Sequence, residues 1–263
     1  MPSVPRGCIL DNSDIIDQAT GLRKLFASRL SHVVAFASGD GDAGRTPLVV
    51  RTARELAAAG EAVILIDENA GPKSALARMG AEPEGDLWDA LDGRVHLARR
   101  LTPISDHIWG VAAAGVAARV HRDNPTIRER LGQVLGPIRV AADFVLVDSH
   151  LSAHGGLSML SSTADNVVVV VGAQSASITE AYALIKRLAH ERDRASFQLV
   201  ITRPQSASIA RTVYANLRRT ALEHLGVQVE LLAVVIEPNL DDIAAALLCR
   251  LPQPVPREPV AVP

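Results

Sequence analysis

Short apolar runs rich in β-branched residues recur along the chain at 33–36, 63–66, 144–147, 167–171, 199–201 and 231–236. Their length and uniform apolarity fit strands buried on both faces rather than amphipathic helices. Helical periodicity fills the intervals at 48–59, 178–192 and 208–225, and a shorter helix is expected from Asp241 to Leu251. Strand and helix therefore alternate. That order predicts an α/β fold, a mostly parallel, doubly wound sheet with right-handed crossovers and helices on both faces.

Two segments fall outside this alternation. In residues 1–30, Ile16, Ala19, Leu22 and Leu25 or Phe26 recur at helical spacing behind Ser13 as an N-cap, which predicts a short amphipathic leader helix. Residues 252–263 hold five prolines without helical periodicity and predict an extended, polyproline-like, disordered tail. Residues 31–251 are then expected to form one domain, a size that 263 residues with 48% hydrophobic content can support.

The net charge of −2 supplies no global field for nucleic acid or an anionic membrane. Cys8 and Cys249 are too far apart in the chain for a C-x-x-C metal site and are expected to be free thiols. Asp11, Asp14 and Asp17 interrupt the start before a signal peptide's apolar region can form, and the run 167–171 is far short of a membrane span, so a cytoplasmic location is expected.

The first strand runs into Ser38-Gly39-Asp40-Gly41-Asp42-Ala43-Gly44-Arg45-Thr46-Pro47 and then a helix. A glycine-rich turn between a strand and a helix is the architecture of a phosphate-binding loop, in which backbone N–H groups, a lysine and a Ser/Thr hydroxyl serve the phosphates and magnesium. The loop resembles the K-G-G-x-G-K-[ST] motif of the MinD/ParA-type P-loop family, matching it at Gly41, Gly44 and Thr46 and departing from it at Asp40, Asp42 and Arg45. The resemblance implies nucleotide contacts from Gly39, Gly41, Ala43, Gly44, Arg45, Thr46 and Pro47. It also implies magnesium at Thr46 and Asp148, and ATP or ADP with magnesium as the ligand if the altered loop still binds one.

Each departure works against that ligand. Asp40 stands where the family has a lysine that reaches across a dimer, and Asp42 adds a Cβ and a carboxylate close to phosphate. Like charges about 4 Å apart cost roughly 4 kcal/mol at an effective dielectric near 20. Arg45 keeps a positive charge but not the compact shape of an ammonium. Pro47 is compatible with a helix's first turn.

The stretch Leu65-Ile66-Asp67-Glu68-Asn69-Ala70-Gly71 resembles the family's L-L-D-A-D-x-G segment, with Asn69 at the position of the water-positioning aspartate. The family's catalytic and magnesium positions thus fall on Asp67, Asn69 and Asp148. Asn69 cannot act as a base, which leaves Glu68 as the substitute to weigh. After Asp148 the sequence Ser149-His150-Leu151-Ser152 replaces the small residues that sense the γ-phosphate, and Thr202-Arg203 replaces an adenine-reading Asn. Joint departure at four elements predicts little or no ATPase activity; the alternative is an ATP-driven MinD/ParA-type switch using Arg45 and Glu68.

Two stretches narrow the resemblance. Asp17-Gln18-Ala19-Thr20-Gly21-Leu22-Arg23 is similar to the D-Q-A-x-x-L-R leader of the FlhG/FleN flagellar-number regulators, and residues 175–186, S-A-S-I-T-E-A-Y-A-L-I-K, resemble that group's segment after the fourth strand. In that family the leader engages and stimulates the signal-recognition-type GTPase FlhF. The resemblance therefore implies partner contacts from Asp17, Gln18, Ala19, Leu22 and Arg23 on an FlhF-type GTPase, with flagellar switch proteins or a transcriptional activator as further partners. The family's C-terminal membrane-binding helix is expected to have no counterpart before the proline-rich tail, and Asp40 at the dimer-bridging position predicts a monomer.

Arg94, Arg99 and Arg100, with Arg211, Arg218 and Arg219, have no interleaved aromatics and are expected to be solvated helix faces, so no nucleic-acid partner is expected. His150 and His154 beside Asp148 fall short of a metal-ligand set.

Overall fold

The computed structural model describes residues 31–41, 43–120, 124–152, 155–192, 195–236 and 243–250. The expected leader helix with its partner residues, the proline-rich tail, Asp42 and His154 lie outside the described residues. The strands are β1 (His32–Ala37), β2 (Val63–Asp67), β3 (Thr102–Ser105), β4 (Ile108–Ala112), β5 (Phe144–Asp148), β6 (Asn166–Gly172), β7 (Ser196–Thr202) and β8 (Gln228–Val235). The helices are α1 (Arg45–Ala58), α2 (Ala75–Arg78), α3 (Leu87–Leu91), α4 (Ala114–Arg119), α5 (Pro125–Ala141), α6 (Met159–Ser162), α7 (Ser175–Arg192), α8 (Ala207–Leu225) and α9 (Ile243–Arg250).

The strands form one eight-stranded sheet in the order β3-β4-β2-β5-β1-β6-β7-β8. Among the described strands of this sheet, only the β3–β4 pair is antiparallel. The alternating direction of strand side chains divides the apolar positions between two cores. Val34 and Phe36 of β1, Leu65 of β2 and Leu146 of β5 face α1, α2 and α9 through Leu48, Val49, Leu56, Leu76 and Leu247. Val33, Ala35, Ile66, Val147 and Val169 belong to the other core, with Leu87, Leu131, Leu184 and Leu217 from helices on the opposite face. Burial on both faces explains why these strands read as unbroken apolar runs.

The six strands expected from apolar runs are present, several of them longer than the runs. β8 runs from Gln228 to Val235, starting earlier than the expected 231–236, because Val229 is also buried. The hairpin β3–β4 and the helices α4 and α5 carry weaker patterns. β4 has Gly110 at its centre, and α5 buries only Leu131 and Ile138 and contains Pro137. α5 is nonetheless well started, with Asn124 Oδ1 accepting from Ile127 N at 3.2 Å and Pro125 in its first turn. Among the described residues no helix is long and apolar enough to cross a membrane.

β1 lies between β5 and β6, where the strand order changes direction, and register pairs Phe36 and Asp67 each with Asp148. The carboxyl ends of β1, β2 and β5 therefore open into one crevice, the usual ligand position in doubly wound sheets.

Candidate functional site

The loop after β1 is held by contacts that its own sequence supplies. Ser38 Oγ donates to Asp40 O at 2.7 Å, and Asp40 Oδ1 accepts from Ala43 N at 2.8 Å. Gly44 takes φ 76° at the start of α1, a left-handed conformation that glycine adopts without steric cost. Gly39 packs directly on the backbone of α7 at Glu180. Ala43 is buried, Gly41 and Pro47 are exposed, and Pro47 sits in the first turn of α1.

Thr202, at the end of β7 and one of the two residues read as replacing an adenine-reading Asn, is buried and donates from Oγ1 to Ala43 O at 2.7 Å, with Val171 O at 3.3 Å. Its hydroxyl ties β7 to the loop. Thr202→Val, which removes the donor at nearly constant shape, is expected to lower unfolding free energy by about 1–2 kcal/mol in urea titration. A loss within a few tenths of a kcal/mol would mean the loop does not depend on this bond. Arg203 follows with φ 51°, left-handed without being glycine, and its N–H is anchored on Val235 O at 2.9 Å.

The centre of the crevice is the fully buried carboxylate of Asp148. Arg45 Nε donates to its Oδ1 at 2.6 Å, Thr46 Oγ1 donates to its Oδ2 at 2.7 Å, and Asn69 Nδ2 donates to the same Oδ2 at 3.0 Å. Asn69 Nδ2 also reaches Asp148 O at 3.0 Å, and Asn69 Oδ1 accepts from Arg45 Nη2 at 3.3 Å. The guanidinium thus forks between Asp148 and Asn69. Burial pushes the Asp148 carboxyl above its ordinary range, opposed by the Arg45 charge and by the Thr46 and Arg45 hydrogen bonds.

Asp67 is buried beside this group. Its Oδ1 accepts from Asn69 N at 3.0 Å and its Oδ2 from Leu76 N at 2.8 Å, which fixes the turn after β2 and the start of α2.

Glu68 lies elsewhere than a catalytic substitute would need to be. It is 2% exposed, and its carboxylate faces the segment after β5. Oε2 accepts from His150 N at 2.8 Å and Ser161 Oγ at 2.9 Å, and Oε1 accepts from Ser158 Oγ. Ser161 Oγ also contacts Ser149 Oγ at 2.8 Å. Burial raises the Glu68 carboxyl to about 7 against the opposing pull of these donors. The serine cluster was not legible beforehand, since Ser158 and Ser161 are some ninety positions from Glu68 and no motif marks them.

The structure therefore gathers Asp40, Ala43, Gly44, Arg45, Thr46, Asp67, Asn69 and Asp148 at one end of the sheet. His150 is exposed, and among the described residues no group of three His, Cys, Asp or Glu side chains is arranged to hold a metal. Arg94 pairs with Asp92 at 2.7 Å and Arg100 with Asp89 at 3.2 Å, while Arg211, Arg218 and Arg219 are exposed on α8.

No family model matches the chain. The antiactivator FleN of Pseudomonas aeruginosa is 28% identical over 204 residues, covering 77% of this chain and 72% of FleN. The MinC:MinD cell division protein complex of Aquifex aeolicus superposes with a TM-score of 0.61 at 22% identity, over 82% of this chain and 86% of that one. A variant of Cyanothece McdA in complex with ATP gives a TM-score of 0.59 at 16% identity, over 80% of this chain and 85% of that one. These structures show the shared fold, a mostly parallel doubly wound sheet with helices on both faces, and in sequence the chain is similar to the antiactivator FleN.

Proposed function

We propose that this chain is an FlhG-like regulator of flagellar number and placement that binds and stimulates an FlhF-type GTPase and turns over little or no ATP. The similarity to FleN supports the regulatory role. The observation that carries the second half is the Arg45–Asp148 pair: the residue at the position of the family's phosphate-binding lysine is engaged by the carboxylate at the family's magnesium position. In this reading the working surface is the leader, through Asp17, Gln18, Ala19, Leu22 and Arg23. The protein works in the cytoplasm as a monomer, without nucleic acid.

The test is GTP hydrolysis by an FlhF-type GTPase with the full chain added and ATP omitted. Stimulation is expected, and deletion of residues 1–26 or the double change Gln18→Ala, Leu22→Ala is expected to abolish it. Stimulation that survives those changes would overturn the assignment of the leader.

A second reading, an ATP-driven switch, draws on Thr46 and Asp148 still lying side by side at 2.7 Å. It requires magnesium-dependent ATP turnover that disappears in Thr46→Ala and Asp148→Ala.

A further inference from the structure

The residues at the nucleotide end of the sheet can be tested for fit to a nucleotide and its magnesium by what their polar atoms already do. Both carboxylate oxygens of Asp148 have donors aimed at them, from Arg45 on one and from Thr46 and Asn69 on the other. A cation approaching Oδ1 meets a guanidinium at the place it would take. On the loop side, the Ala43 N–H that would face a phosphate oxygen is taken by the Asp40 carboxylate, and the Ala43 carbonyl is taken by Thr202. The group implied by the fold does not fit this arrangement as it stands.

We propose that the site is self-liganded, with Arg45 as a resident counter-ion in place of the metal and Asp40 as a resident anion in place of a phosphate oxygen. The Arg45 side chain is 15% exposed and that of Asp148 is 0% exposed, so the pair is shielded from water. A buried carboxylate must be neutralised or compensated, and Arg45 compensates it permanently. Its second arm reaches Asn69, so one side chain joins α1, β5 and the turn after β2. The Asn69 amide accepts from one arm of the guanidinium and donates to the carboxylate held by the other. The nucleotide end is then fixed in one arrangement, and its surroundings are presented to a partner whether or not nucleotide is available. The inference rests on the reading of a regulator that does not turn over ATP, but it can fail separately.

The test is a double-mutant cycle on the full chain with Arg45→Met, Asp148→Asn and the double variant, read by thermal unfolding with and without millimolar magnesium and ATP, with ATP turnover followed in the same samples. The wild-type midpoint is expected to move by less than about 1 °C on adding magnesium and ATP, because a ligand that does not bind the folded state cannot stabilise it. Arg45→Met is expected to lower the midpoint by about 10 °C by stranding a buried charge, and Arg45→Met/Asp148→Asn to recover at least half of that loss. If Arg45→Met does not fold, folding of the double variant supports the inference, and its failure to fold overturns it. Equal losses in the single and double variants would also overturn it and leave the regulator reading standing. A rise of several degrees with magnesium and ATP but without turnover would have the same meaning. A rise accompanied by turnover would sink both.

Discussion

Glu68→Gln is expected to stabilise the protein above pH 7 and to remove a fall in stability that the wild type shows between pH 4.5 and about 7. In the folded state burial holds the Glu68 carboxyl protonated up to about pH 7, whereas in the unfolded chain it ionises near the ordinary 4.5. Between those values the folded state binds more protons than the unfolded one, so stability declines as pH rises and levels off above about 7. The whole difference corresponds to about 3 kcal/mol. Glutamine reproduces the neutral acid: its oxygen can accept from His150 N and Ser161 Oγ, and its amide N–H takes the place of Oε1 against Ser158, whose hydroxyl turns from donating to accepting. Urea unfolding of wild type and variant between about pH 5 and pH 8 measures the effect. Parallel pH profiles for the two proteins would refute the assignment. Glu68→Ala should be worse than wild type at every pH, since it leaves the Ser158, Ser161 and His150 donors without their acceptor.

The second large effect is steric. A Cβ on Gly39 would lie 2.4 Å from the Glu180 carbonyl oxygen and 2.5 Å from its carbon. Those atoms are α7 backbone and cannot rotate away, so Gly39→Ala must push the loop and the helix apart, at an expected cost of about 3 kcal/mol. Gly41 has nothing within 4 Å of its would-be Cβ. Gly41→Ala should therefore stay within about 0.5 kcal/mol of wild type, as a surface substitution usually does. Paired denaturation curves decide the matter, and equal losses at the two positions would remove the argument that Gly39 seats the loop on α7. Hydrogen exchange at residues 39–44 should rise in the Gly39 variant, because the loop loses its backing.

The central strands were legible because burial on both faces leaves nothing but apolar residues in them; 63–66 and 167–171 are of this kind. The β3–β4 hairpin was harder. β3 alternates half-buried and exposed positions over only four residues, and the antiparallel turn to β4 has no glycine or asparagine to announce it. α5 was missed because a helix with two buried residues has little periodicity to read. At the site, residue identities pointed to the end of the sheet where these side chains meet but not to who would touch whom. Arg45 looked like a poor phosphate ligand; its contacts with Asp148 and Asn69 depend on a register between β2 and β5 that only the fold supplies. Glu68 is the opposite case. Local sequence put it next to the candidate catalytic positions, and strand alternation turned it away from Asp67 and Asn69 into the serine cluster.

The antiparallel strand at the border of the sheet also bears on how copies of this protein can meet. β3 is four residues long, contains Pro103, which has no N–H to offer a neighbour, and slips register against β4 between Pro103 and Ser105. Short, bulged, proline-bearing borders resist the edge-to-edge addition by which exposed sheets grow into aggregates. On that flank the edge disfavours growth into a continuous intermolecular sheet. Crowded copies that meet there must do so through side chains, a contact that dilution readily reverses.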